Sequence, residues 1–354
     1  TKRGGLGTKI KIAYGDGLMQ YHDHSTFRGY LSTMEDVVHF GLGQFNQVET
    51  LEVLCPDGQF QLLKNIRACQ VWPVNFQDAG KGENPNSSLH QNIVKDALLV
   101  EVVGETKPAY LHEEIDQVDF HIQRTLPHKF SQAGPGVAVG DINGDGLEDF
   151  VLGGSSFTHT SIFIQDRAGR FHESLLKKEK EKYSEDEGLL LFDADGDGDL
   201  DLYIVSGGFQ SLTGSERNKD RLYLNNGIGA FSLDENRLPN VSDNGSCVRA
   251  ADIEGDGDLD LFIGGRVITG MYPFAPKSYI LRNDHGHFVD ATEDICKSIR
   301  NIGMVTDAIW TDYDNNGTQD LMIVGEFMAV RVFRNENGKL AEVTDTGITG
   351  YTGW

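Results

Sequence analysis

One nine-residue pattern recurs four times in this chain and constrains its fold more than any other feature. The segments are Asp141-Ile-Asn143-Gly-Asp145-Gly-Leu147-Glu-Asp149, Asp193-Ala-Asp195-Gly-Asp197-Gly-Asp199-Leu-Asp201, Asp252-Ile-Glu254-Gly-Asp256-Gly-Asp258-Leu-Asp260 and Asp312-Tyr-Asp314-Asn-Asn316-Gly-Thr318-Gln-Asp320. They align without gaps, and their starts lie 52, 59 and 60 residues apart. Each leads into a short apolar run ending in glycine, such as Phe150-Val-Leu-Gly-Gly154 or Leu261-Phe-Ile-Gly-Gly265. Such runs read as strands buried on both faces. Further on, a strand-turn-strand signature returns: Ser161–Gln165 before Gly169, Arg221–Asn225 before Gly229, Ser278–Asn283 before Gly286, and Val330–Asn335 before Gly338. A unit of roughly 60 residues holding about four short strands has the period and content of a propeller blade. The 42 glycines against 9 prolines fit a chain of many tight turns.

Oxygen ligands at alternating positions of a tight loop suit a hard cation such as calcium, which takes about six to eight oxygens. Positions one, three and five of each loop present carboxylate or amide oxygens, the glycine at six permits the turn, and position seven can offer its carbonyl. The start matches an EF-hand, but that motif needs a bidentate Glu at its twelfth position. Leu152, Ile204, Ile263 and Ile323 stand there instead, inside the apolar runs, while the shared acid sits at position nine.

These loops, with their following strand and glycines, resemble the FG-GAP (VCBS-type) calcium repeats of integrin-like β-propellers. The resemblance implies side-chain ligands at positions one, three, five and nine and a main-chain ligand at seven. That set is Asp141, Asn143, Asp145, Leu147 and Asp149; Asp193, Asp195, Asp197, Asp199 and Asp201; Asp252, Glu254, Asp256, Asp258 and Asp260; and Asp312, Asp314, Asn316, Thr318 and Asp320. Up to four structural Ca2+ ions are expected, the weakest in the last loop, which holds only three acids. The expected fold is all-β, with FG-GAP blades over residues 111–354 belonging to a larger, commonly seven-bladed ring that continues beyond Trp354.

Ahead of the repeats, Lys9-Ile-Lys-Ile-Ala-Tyr14 and Val48-Glu-Thr-Leu-Glu-Val-Leu54 alternate as half-buried strands do. Arg28-Gly-Tyr-Leu-Ser32, His39-Phe-Gly-Leu-Gly43 and Pro56-Asp-Gly58 resemble the ASPIC/UnbV domain over residues 1–72, with Cys55 where that family usually has Trp. Residues 73–110 read as a linker and surface loop. Gly4-Gly-Leu-Gly7 is no phosphate loop, because a strand rather than a helix follows it. Cys55 and Cys69 suit either a hairpin disulfide or free thiols, and with Cys247 and Cys296 form no CxxC. The charge run from Glu173 to Glu187 reads as a solvated helix or loop. His112 and Glu113 read as a structural polar cluster rather than an acid/base pair, and the four N-x-[ST] matches are assigned no glycans.

Lys and Arg number 31 against 54 Asp and Glu, a net charge of −23 that disfavours nucleic acid and anionic membrane as partners. Seventeen of those acids lie in the four loops, and four divalent cations would bring the net charge to −15. No run is long and apolar enough to span a bilayer. The resemblance places the protein outside the cytoplasm, extracellular or at the cell surface, outer-membrane associated if bacterial. The function expected is a calcium-stabilised binding or scaffold protein recognising a protein or glycan through propeller loops, with a subunit of an outer-membrane assembly as one form of it. An extracellular hydrolase or lyase acting on a polymer is the alternative, marked by an inward carboxylate or His of perturbed pKa, whereas exposed Trp72, Tyr272 or Trp310 would mark glycan binding. No nucleophile elbow or HExxH motif stands outside the loops, so no catalytic residue is assigned.

Overall fold

The computed structural model describes residues 7–15, 17–25, 37–56, 59–75, 108, 110–176, 185–344 and 347. The chain divides into two compact units, Thr1–Glu101 and Val102–Trp354.

The first unit is an antiparallel sheet of β1 (Lys9–Tyr14), β2 (Leu18–Asp23), β3 (Gln47–Leu54) and β4 (Phe60–Arg67) in the order β2-β1-β3-β4. Its period-two pattern buries Ile12 and Tyr14 with Val48, Leu51, Val53 and Ile66. Arg28–Ser32 and Asp57-Gly58, two carriers of the N-terminal resemblance, lie outside the described residues. The four cysteines are free thiols, Cys55 and Cys247 buried and Cys69 exposed.

The second unit holds four antiparallel meanders: β5 (Val137–Gly140) to β8 (Phe171–Leu175) through β6 (Asp149–Leu152) and β7 (Ser161–Gln165); then β9 (Glu185–Phe192), β10 (Asp201–Gly207), β11 (Arg221–Leu224) and β12 (Ser232–Asp234). The third is β13 (Asn244–Ala251), β14 (Asp260–Val267), β15 (Tyr279–Asp284) and β16 (His287–Asp290); the fourth is β17 (Met304–Thr311), β18 (Asp320–Glu326), β19 (Arg331–Asn335) and β20 (Leu340–Val343). The first strands β5, β9, β13 and β17 pack in succession, so the meanders stack face to face as propeller blades. Among the described residues, no strand of the first blade pairs with one of the fourth.

The apolar runs are the second strands, and stacking explains why they lack a polar face. Along β10, Leu202 and Ile204 join the cluster shared with the first blade, while Tyr203 and Val205 join that shared with the third. Along β14, Leu261 and Ile263 face back and Phe262 faces forward. Glycine sets the spacing: a Cβ at Gly245 would lie 2.2 Å from Val205 Cγ1, and one at Gly264 2.6 Å from Val305 Cγ1.

The described ends of the Glu173–Glu187 charge run are strand rather than helix or loop; the first end is exposed, and the second is buried because its acids serve the joint between blades. Asp186 is buried and accepts from Gly154 N–H (2.7 Å) and Thr160 Oγ1 (2.7 Å) of the first blade and from Arg221 Nη2 (2.6 Å) of the second. Removing one partner of a buried ion pair leaves the other charge uncompensated, at about 3–5 kcal/mol. Asp186→Ala is therefore expected to lower the unfolding free energy by about that amount, read as a reduced urea midpoint.

Candidate metal centres

The four acidic segments join the first and second strands of each blade, at one end of the sheets. Each is a series of side-chain-to-backbone turns. The position-one aspartates, Asp141, Asp193, Asp252 and Asp312, accept backbone N–H groups of the next turn at 2.7–3.1 Å, including that of the glycine at six. The position-five side chains accept the N–H of position seven, as Asp197 does from Asp199 (3.1 Å) and Asn316 from Thr318 (2.8 Å). The backbone turns through left-handed residues at positions four and six, for example Gly196 (φ 78°) and Gly198 (φ 92°). Asn315 at position four of the last loop (φ 57°) is the residue type that tolerates this region best after glycine.

In the second loop Asp193, Asp195 and Asp197 bring carboxylate oxygens within 4.8 Å of one another, and in the fourth so do Asp312, Asp314 and Asp320. Buried Oδ1 atoms of Asp195 and Asp199 have no hydrogen-bond partner. A buried acceptor left unmatched is costly, and a cation supplies the partner that the protein does not. Burial, and then the charges of Asp197, Asp195 and Asp193, push the Asp199 carboxyl up. These residues fit a hard, oxygen-seeking divalent cation. Basic side chains also reach loop acids: Arg237 Nη1 donates to Asp195 Oδ2 (2.8 Å), His285 Nδ1 lies 3.1 Å from Asp258 Oδ2, and Arg282 Nε lies 3.8 Å from Glu254 Oε1.

The other end of the blades carries a second polar group. His112 Nε2 meets Glu114 Oε1 at 2.7 Å, rather than Glu113, whose carbonyl accepts from Ser155 Oγ (2.6 Å). Burial pushes Glu187 up to about 8 against the pull of Arg266, with Glu114 and Asp186 adding to the rise. Like Asp220, which burial also pushes up to about 8, it is a perturbed carboxyl of the kind a hydrolase would show. Its surroundings are structural, however: Gly208 N–H donates to Glu187, while Arg266 Nη2 (2.8 Å) and Tyr272 Oη (2.7 Å) both donate to Glu326. Of the three aromatics whose exposure would mark glycan binding, two are not exposed. Tyr272 is buried around that bond to Glu326, and Trp310 packs against the core with its Nε1 donating to Arg249 O (3.2 Å).

Residues 1–81 match the ASPIC and UnbV family, and residues 141–204 and 193–263 match the FG-GAP-like repeat family. The chain is an FG-GAP repeat protein with an N-terminal ASPIC/UnbV domain. FG-GAP repeats are typical of extracellular or surface proteins. No curated protein matches the chain significantly. A solved structure of a lectin from Agrocybe aegerita, described as specifically recognising non-reducing terminal N-acetylglucosamine, is similar at 19% identity and a TM-score of 0.38. That likeness covers 57% of this chain and 49% of the lectin chain, so the chain spans about half the lectin's length. Among the described residues no helix is long and apolar enough to cross a membrane.

The FG-GAP position-nine aspartates also hold the fold. Asp149, Asp201, Asp260 and Asp320 are buried; one oxygen of each accepts the N–H of position two, at 3.0–3.3 Å, and the other a third-strand N–H at 2.8 Å. Each oxygen keeps a lone pair for a cation. Sequence reasoning did not single out the third-strand partners Asn225, Asn283 and Asn335, although an asparagine at the end of that strand recurs in three blades. Asp201→Ala strands the buried N–H groups of Ala194 and Asn225, at about 1–3 kcal/mol each. In EDTA its urea midpoint is expected to fall well below that of Asp197→Ala, whose carboxylate serves an exposed turn.

Proposed function

We propose that this chain is a calcium-stabilised binding or scaffold protein that works outside the cytoplasm and recognises a protein partner through one face of its propeller blades. The buried, unpartnered oxygens of Asp195 and Asp199 amid like charges carry the cation reading. Calcium, in up to four structural sites, suits the oxygen-rich loops and extracellular concentrations. The recognition face is the one opposite. There the loops joining second and third strands expose Phe157, Leu212, Met271, Phe274 and Phe327, at least one residue from every blade. Phe and Met are enriched at protein interfaces, and this set lacks the exposed Trp or Tyr that stacks on sugars. An outer-membrane assembly is one setting in which such a face would serve.

Each loop filled at a hundredfold excess over its Kd adds about 2.7 kcal/mol, or roughly 5–10 °C of Tm for a unit of this size. Calcium is expected to raise Tm accordingly and EDTA to reverse it; Asp195→Asn should remove one equivalent from calorimetric titration. An unchanged Tm would sink the calcium reading. For the face, the triple variant Phe157→Asp, Phe274→Asp, Phe327→Asp should keep the calcium response yet lose the proteins crosslinked to the native chain at the cell surface. Retention of the same crosslinked proteins would place recognition elsewhere.

A further inference from the structure

The four loops are joined to one another by an unbroken line of hydrogen bonds. Asn225 Nδ2 of the second blade donates to the carbonyl of Ile142, position two of the first loop, at 2.8 Å. Asn283 Nδ2 of the third blade does the same to Ala194 (2.9 Å), and Asn335 Nδ2 of the fourth to Ile253 (2.8 Å). The backbone N–H of each asparagine is held by the position-nine aspartate of its own blade, whose other oxygen holds position two of its own loop. The line therefore runs from Ile142 through Asn225 and Asp201 to Ala194, on through Asn283 and Asp260 to Ile253, and through Asn335 and Asp320 to Tyr313.

A second contact repeats at the same junctions. The oxygen of each asparagine accepts the N–H of the turn glycine that follows, Gly229, Gly286 or Gly338. These turns rest against position three of the preceding loop. A Cβ at Gly286 would lie 2.7 Å from Asp195 Cβ, one at Gly338 3.3 Å from Glu254 Cβ, and one at Gly229 3.9 Å from Asn143 Cβ. Each of the first three loops thus touches the next blade at a peptide between two ligand positions and at a ligand position itself.

From this geometry we infer that the loops load cations as a coupled series, each filled loop raising the affinity of its neighbour through the asparagine between them. This rests on the cation reading above. Ordering a loop around an ion fixes its second peptide, which orients the asparagine and, through the shared aspartate, the next loop. The ordering that the first ion pays for is then partly in place for the second. Asn225, Asn283 and Asn335 are positioning residues that touch no cation.

The fourth loop is the simplest to isolate, because within this line it joins only the third, through Asn335. Calcium titration by calorimetry on the full chain compares the remaining loops with and without Asp314→Ala, which disables the fourth. With Asn335 present, that loss is expected to weaken the remaining sites at least about fivefold. In an Asn335→Ala background it should change them less than about twofold. Asn335→Asp, which keeps the acceptor for Gly338 N–H but removes the donor, should behave as Asn335→Ala does. Equal weakening in both backgrounds, or none in either, would overturn the coupling while leaving calcium binding intact. Absence of any calcium heat would overturn the cation reading and the coupling with it.

Discussion

The structure of the repeat unit depends on one buried carboxylate per blade. Where the first strand turns into the second, the backbone passes from an exposed acidic loop into a strand enclosed on both faces, and its N–H groups lose water. The position-nine aspartate is placed at that boundary and satisfies two of them, one in the loop and one on the third strand. A buried amide left unmatched would cost more than most single contacts contribute. The loop, the second strand and the third strand of a blade are therefore held by the same side chain, which also borders the oxygen cluster.

The stacking of blades supplies the rest. A sheet with one polar face would have kept alternation in its second strand. Here Leu202, Tyr203, Ile204 and Val205 are all fully buried, since neighbours cover both faces. Polar groups taken into these joints find partners across them, as Asp186 does with Thr160 and Gly154, and within the blade, as it does with Arg221. The two ends of the blades differ in consequence. One gathers carboxylates in tight turns, and the other carries longer loops whose apolar tips remain exposed.

Much of the fold could be read before any coordinates, because its determinants are local and repeated. The nine-residue spacing marks the loops, the apolar runs mark the enclosed strands, and glycines at positions four and six mark the left-handed turns. The candidate ligands could be proposed for the same reason, since they lie within nine residues of one another; three carboxylates cluster in the second loop and three in the fourth. The dual role of Asp201 could not be read, since its partner Asn225 lies just past the end of the blade's third strand. Whether Tyr272 and Trp310 are exposed could not be decided from sequence, because nothing near them names Glu326 or the carbonyl of Arg249 as a partner.

Sequence alone determined the blade period, the acidic loops, the number of strands in each blade and the acidity that disfavours polyanions. Tertiary structure decided which polar residues serve the interior. Glu185 and Asp186 lie at the end of a charge run that has every local mark of solvent exposure, yet they are buried, because Gln210 and Arg221 of their own blade and Gly154 and Thr160 of the first blade donate to them. It also decided that the loops form one line, for Asn225, Asn283 and Asn335 each meet a loop more than eighty residues away, a distance that only the packing of one blade on the next can close.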